Sequence, residues 1–245
     1  MEFMRGLRAL CDERGLLMVM DEVWTAPART GRWFAYQHYG IEPDVMTLAK
    51  AVGGGAPVGV CLAATKWADV LGAGKHGCTM GGNPLCAAAA NAAMKLIEDE
   101  GLVERAAAKG EQIVRAIRDA KLPCVKAVRG KGLMIGIEID RPAKEVFLAA
   151  LDAGLFVCTA QTHVVRLAPP LNIADDLLAK GDDAIDNGIP LYEPSSKLAS
   201  GHLFLQTEAI SSELPPALPT SKVDNQILAV VIHLQRKHPS RSVIL

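Results

Sequence analysis

The sequence predicts an α/β fold. Short apolar runs that stop at a charged residue alternate with longer segments whose apolar residues recur at helical spacing. Glycine and proline punctuate the joints between them. Residues 2–14 open the chain as an amphipathic helix, with Phe3, Leu7, Leu10 and Cys11 expected on one face. Residues 16–20 (L-L-M-V-M) are too short for a helix and read as a buried strand with Asp21 at its carboxyl end. Residues 44–48 form a second such run; Lys50 lies just past it, followed by Gly53, Gly54 and Gly55. Residues 58–64 read as a further strand.

Asn83-Pro84 then starts an Ala-rich helix that runs to Glu100 and stops at Gly101. Proline suits the first turn because its missing N–H would be unpaired there anyway. A second helix spans 102–120. From Val125 the pattern changes. Residues 125–139 read as a strand with glycines at a turn or bulge, 142–153 as a helix, 155–158 and 164–167 as short strands, and 175–185 as a helix. This is the composition of a smaller α+β domain. After Asn187, prolines break up Ser- and Leu-rich sequence. Residues 224–237 return as an amphipathic helix, and 243–245 begin a strand expected to be unpaired.

Net charge is −1 over 245 residues, which gives no electrostatic case for nucleic acid or an anionic membrane surface. No run of about 20 apolar residues is present to span a bilayer. The six cysteines form no C-x-x-C pair and the histidines no H-E-x-x-H spacing, so neither a metal centre nor a disulfide framework is expected. Scattered thiols of this kind fit a reducing cytoplasm.

In open parallel sheets, ligands bind outside the carboxyl ends of the strands. Asp21 and Lys50 would both be delivered to that edge. A carboxylate and an amine placed together suit a cofactor with a ring nitrogen and an aldehyde, which is pyridoxal 5′-phosphate.

Three blocks carry a resemblance that points the same way. D-E-V-W-T-A-P-A-R-T-G-R-W-F-A from Asp21, I-E-P-D-V-M-T-L-A-K-A-V-G-G-G-A-P-V-G from Ile41 and K-H-G-C-T-M-G-G-N-P-L from Lys75 resemble the class III aminotransferases in order and spacing, the acetylornithine and ornithine aminotransferases above all. The resemblance covers about residues 2–185. It implies the C-terminal half of a fold-type I transferase dependent on pyridoxal phosphate. Residues 1–108 would be part of the cofactor-binding large domain, 109–187 the small domain, and 188–245 a linker with a partial α/β segment.

The resemblance also implies roles. Lys50 is similar to the lysine that binds the cofactor aldehyde covalently and then shuttles the substrate proton; burial would lower its pKa. Asp21 would be a buried carboxylate on the pyridine nitrogen. Val23, on the same strand face, would pack on the ring. Thr79 resembles the threonine that reaches the cofactor phosphate of the partner subunit, which implies a homodimer with its site at the interface. Arg166 resembles the arginine that holds the substrate α-carboxylate, a task suited to its planar fork. The implied substrates are an ornithine-type amino acid, N-acetylornithine first, and 2-oxoglutarate, in arginine metabolism. Two positions depart from the family: Trp24 stands where glutamine is common, and Met80 where an aromatic is common.

The long N-terminal half of the family, with its phosphate loop and ring-stacking aromatic, has no counterpart in these residues, so the chain by itself is expected to be inactive. A non-catalytic fusion fragment is the alternative. From about Ser195 the tail resembles part of the PIN-type nuclease domain of PhoH-like ATPases, on S-G-H-L-F-L-Q-T-E and on the block that opens at Pro219. Asp224 would be one metal-binding acid of that domain. One carboxylate does not make a two-metal nuclease site, and the same residue suits a helix cap.

Overall fold

The computed structural model describes residues 2–71, 74–152, 154–186 and 241–244. Its helices are α1 (Glu2–Arg14), α2 (Pro84–Asp99), α3 (Leu102–Asp119), α4 (Ala143–Asp152) and α5 (Asp175–Asp186). Its strands are β1 (Val19–Asp21), β2 (Val45–Leu48), β3 (Val60–Ala64), β4 (Val125–Lys131), β5 (Met134–Ile139), β6 (Cys158–Ala160), β7 (Val164–Leu167) and β8 (Arg241–Ile244). They form two compact units. Of the described residues, the first comprises 2–28, 32–71, 74–101 and 241–244, and the second 29–31, 102–152 and 154–186.

The first unit is built on a sheet of order β1-β2-β3-β8. β1 and β2 run parallel, with Val19 opposite Val45 and Asp21 opposite Thr47. β3 is antiparallel to β2, and β8 antiparallel to β3. The core gathers Met18, Phe34, Tyr36, Met46, Leu48, Val52, Leu62 and Met94. Phe34 and Tyr36 stack with ring centroids 5.8 Å apart.

Two helix ends follow directly from sequence. The Asn83 side chain accepts the Leu85 and Cys86 N–H groups at 3.0 and 3.2 Å, capping α2. Gly15, at φ +63°, lets the chain leave α1 while the Leu16 N–H donates to the Cys11 carbonyl at 2.8 Å.

Several expectations are corrected here. On α1, Cys11 is buried and Met4 and Leu7 pack on the core, but Phe3 and Leu10 stand 78 % and 45 % exposed. The apolar arc of this helix is wider than the face it packs on the core. The strand expected over 16–20 is pairing-competent only from Val19, where β2 begins opposite it; Leu16 and Leu17 are about half exposed. The final strand is not unpaired: β8 lies along β3. The helix expected over 224–237, Asp224 and the PIN-like segment before β8 lie outside the described residues.

The second unit is an antiparallel sheet of order β4-β5-β7-β6 with α3, α4 and α5. The single strand expected over 125–139 is a hairpin, turned by Gly132 at φ +52°. A side chain at Gly132 would collide with the backbone of Arg29, Thr30 and Gly31, and one at Gly110 with Gly132. This close approach places the short 29–31 segment in the second unit, where the Leu133 N–H donates to the Arg29 carbonyl at 2.9 Å. The Arg29 guanidinium donates to the Pro169 carbonyl, and burial pulls its pKa down to about 10. Leu133, Ile135, Ile113, Ile117, Val146 and Val165 form the core. Lys109 is nearly buried, bonded to the Ile173 carbonyl and 2.6 Å from the Asp175 carboxylate.

Candidate active site

Parallel pairing of β1 with β2 brings the carboxyl ends of both strands to one edge. Asp21 is the last residue of β1, and Lys50 lies two residues beyond the end of β2. The ladder continues past the strand, because the Glu22 N–H donates to the Thr47 carbonyl at 3.0 Å. After the extended Ala49 (φ −160°), Lys50 enters a single-turn 3₁₀ helix, Lys50–Gly53, at φ +49°. That left-handed conformation in a non-glycine residue costs on the order of 1–3 kcal/mol, and such strain concentrates at functional positions. The turn closes through Gly54, φ +56°, whose N–H reaches the Ala51 carbonyl at 3.1 Å. A side chain there would press on Ala93 of α2 at 3.2 Å, so the glycine lets the helix pack beside the lysine turn.

Lys50 and Asp21 are both exposed in this chain, contrary to the burial expected of them. Adjacent strand residues point to opposite sides, and at the Asp21-Glu22 pair it is Glu22 that takes the interior. Glu22 is fully buried; its carboxylate accepts the Ala35 and Tyr36 N–H groups, each at 2.9 Å, and the Thr25 hydroxyl. Asp21 accepts the Val23 N–H at 2.9 Å through one oxygen. Val23 is half-buried in the turn after β1 rather than on the strand.

Thr79 is exposed in the turn where the Gly81 N–H donates to the Cys78 carbonyl at 3.0 Å. A cavity of about 550 Å³ opens between this loop and the sheet, lined by Thr47, Leu48, Val60, Cys61, Cys78 and Met80 among others. Lys50, Asp21 and Thr79 are not part of its lining. Trp24 is half-buried; Met80 is 69 % exposed. Arg166 is half-buried on β7 of the second unit, opposite Gly136 of β5 and Cys158 of β6.

One organising group escaped the sequence reading. The buried Asp44 accepts Arg8 Nη1 at 2.7 Å, the Met18 N–H at 2.9 Å, Trp67 Nε1 at 3.1 Å and Lys66 Nζ at 2.6 Å. Burial pushes its pKa up, but these donors outweigh burial and hold the carboxyl well below its ordinary range. It ties α1, the start of β1, β2 and the 3₁₀ helix Thr65–Leu71 together at the end of the sheet opposite Lys50. The signal was present: Asp44 opens an apolar strand, where an acid needs several donors to be tolerated. Among the described residues no cluster of His, Cys, Asp and Glu could hold a metal ion, and no helix is long and apolar enough to cross a membrane.

The chain is similar to known proteins over most of its length. The family model for class III aminotransferases matches residues 1–189. The chain is 46 % identical over 175 residues to acetylornithine aminotransferase of Corynebacterium efficiens, covering 71 % of this chain and 43 % of that protein. It is 47 % identical over 195 residues to acetylornithine aminotransferase 1 of Bordetella bronchiseptica, covering 79 % and 49 %. Among solved structures it is similar to the ornithine aminotransferase of Toxoplasma gondii, with TM-score 0.73, 31 % identity and 76 % and 46 % of the two chains covered. It is also similar to the acetylornithine aminotransferase of Elizabethkingia anophelis, with TM-score 0.70, 36 % identity and 76 % and 50 % covered. The chain spans about half the length of the curated relatives it matches. With the fold, three sequence blocks and the family match in agreement, the chain belongs to the class III aminotransferases, the family that works with pyridoxal phosphate.

Proposed function

We propose that this chain carries the lysine and the ring-nitrogen acid of an aminotransferase that moves the amino group of an ornithine-type donor, N-acetylornithine first, to 2-oxoglutarate. The observation that supports this most is the delivery of Asp21 and left-handed Lys50 to the same end of two parallel neighbouring strands. The residues fit the cofactor chemically. One Asp21 oxygen accepts the Val23 N–H and the side chain is exposed, and the Lys50 amine is accessible to an aldehyde.

When bound, pyridoxal phosphate supplies an aldehyde for amines and a ring that takes up the electrons left by a departing proton. In this reading Asp21 holds the proton on the ring nitrogen by a charge-assisted hydrogen bond. Lys50 would hold the cofactor through its aldehyde, and its amine would be the group that takes the proton from the amine-bearing carbon of the substrate. Val23 packs on the ring. Thr79 donates its hydroxyl to the cofactor phosphate across a homodimer interface. Arg166 grips the substrate carboxylate with two parallel N–H donors. Glu22 serves as a positioning residue: it fixes the loop behind Asp21 without touching the reacting atoms. Residues 1–108 act as part of the large domain and 109–187 as the small one, in a reducing cytoplasm.

Borohydride reduction of a cofactor-loaded chain extended to the length of the relatives tests the assignment. The tag is expected on the peptide that contains Lys50; a tag on Lys66 or Lys75 sinks it. The 245-residue chain alone is expected to give no turnover of N-acetylornithine with 2-oxoglutarate in excess cofactor. With Lys50 and Asp21 both facing solvent, it lacks the enclosure that positions a reacting group.

A further inference from the structure

The ladder between β5 and β7 stops at one corner of the second unit's sheet, and a single residue from elsewhere continues it. The Ile139 N–H donates to the His163 carbonyl at 2.9 Å. Alternate pairs from there, Ile137 with Val165 and Ile135 with Leu167, are therefore the hydrogen-bonded ones. The next pair in that series is Leu133 with Pro169. Proline has no N–H to give, and both residues are buried, where an open backbone N–H or carbonyl is costly. Arg29 serves both. Its carbonyl accepts the Leu133 N–H at 2.9 Å, and its guanidinium donates to the Pro169 carbonyl. Even lowered to about 10, its pKa keeps the guanidinium charged at neutral pH, so that bond is charge-assisted.

Pro169 follows closely on Arg166 in the chain. Val165 and Leu167 pack into the core, so Arg166 between them points to the opposite face of the sheet. The far end of the same connection is held separately, where Lys109 donates to the Ile173 carbonyl. We propose that Arg29 is a positioning residue: it splints the carboxyl end of β7 to the start of β5 and so fixes the Arg166 guanidinium for a substrate carboxylate. This rests on the reading of Arg166 as the carboxylate-binding residue. A planar fork makes two parallel bonds only when its backbone holds one direction, and the end of a strand is where local opening begins. Without the Arg29 side chain, β7 would end at Leu167 with the buried Pro169 carbonyl open just beyond it. Arg29 acts through the strand, and its contribution is to alignment rather than to chemistry.

Amide hydrogen exchange by NMR on the full 245-residue chain reads the splint directly. In Arg29→Met, the Leu167 amide is expected to exchange at least ~10-fold faster while Ile117 in α3 keeps its protection. Arg29→Lys retains a cationic donor, and Leu167 is expected to stay within ~3-fold of the parent chain. Unchanged exchange at Leu167 in Arg29→Met overturns the splint. Equal acceleration at Leu167 and Ile117 makes Arg29 a support of the whole unit, and overturns it too. Should Arg29→Met fail to fold, Arg29→Gln, whose shorter amide cannot span the same gap, is judged by the same two amides. In a cofactor-loaded chain extended to the length of the relatives, Arg29→Met is expected to raise KM for the amino donor ~5-fold or more with kcat within ~2-fold, and Arg29→Lys to restore it. A fall in kcat at unchanged KM overturns the positioning role. Arg166→Lys tests the underlying reading on its own: an unchanged KM there sinks Arg166 as the carboxylate grip, while the exchange data still decide whether Arg29 holds β7.

Discussion

Ten large apolar side chains stand exposed among the described residues, and their distribution divides the molecule. Phe3, Leu10, Leu16, Leu17, Val19, Val70, Met80 and Leu85 belong to the first unit; Leu148 and Leu151 belong to the second. Apart from the short 29–31 segment, the second unit closes its core with elements close in sequence: a hairpin, the helix before it, and a strand pair with its flanking helices. Its nearly buried Lys109 is engaged by Ile173 and Asp175. The first unit holds the reactive side chains and leaves apolar surface open around β1 and the loop of Thr79. Exposed apolar side chains in such number suit a surface for association. A site that must be covered by something else is compatible with the shared active site proposed for it; a self-contained module has no such need.

The largest expected effect breaks the closed unit. Leu133→Ala empties a fully buried position between Ile113, Ile117 and Ile135, and should cost about 3–5 kcal/mol. A urea titration followed by circular dichroism checks it; a midpoint within error of the parent chain would mean that this core is looser than the burial indicates.

The next breaks the first unit at its charged hub. Asp44→Asn removes the charge that four donors converge on, for an expected loss of about 2–4 kcal/mol. The sign of the pH dependence follows. The Asp44 carboxyl titrates below its ordinary value in the folded chain, so its contribution is fully present above about pH 4 and fades as pH falls toward the folded value. Trp24, Trp33 and Trp67 all lie in the first unit, so tryptophan fluorescence reports on that unit. The parent chain should lose stability in acid below about pH 4, and Asp44→Asn should flatten that slope.

What the sequence discloses differs between the two units for physical reasons. Helix ends set by local chemistry, such as the Asn83 cap and the Gly101 stop, are encoded within a few residues and are read correctly. The apolar runs before Asp21 and Lys50 point to the right strands, but their lengths depend on where a partner lies, and β1 pairs only from Val19. The burial expected for Asp21 failed because the motif contains two adjacent acids, and only the three donors gathered from residues 25–36 decide that Glu22 is the inner one. The Asp44 hub draws donors from residues 8, 18, 66 and 67, and no local window contains them. The hairpin at Gly132 is hidden because its turn is shaped by backbone from 29–31, a hundred residues away in the chain.

A smaller effect sharpens the contrast at the site itself. Trp24→Gln, in a chain extended to the length of the relatives, restores the amide common in the family beside Asp21. One recovered hydrogen bond of about 0.5–1.5 kcal/mol should tighten cofactor retention roughly 2- to 10-fold, read by equilibrium dialysis of pyridoxal phosphate. Equal or weaker retention would show that the indole is accommodated and useful in this chain.

The smallest effect is the most direct test of the open surface. Leu16 and Leu17 precede β1 and stand 54 % and 47 % exposed. In an isolated strand of the sheet core, replacing two leucines by serine would remove several kcal/mol of burial. Here their side chains have little buried area to lose, so Leu16→Ser with Leu17→Ser should change the stability of the chain by no more than about 0.5 kcal/mol. The Leu16 N–H to Cys11 bond that closes α1 is made by backbone and survives the change. Solubility should rise, because two apolar residues leave an association-prone patch. Fluorescence-detected unfolding and light scattering read the two quantities separately. A stability loss above about 2 kcal/mol would mean that these leucines are covered in solution within a single chain, and the asymmetry between the open and closed units would fall with that result.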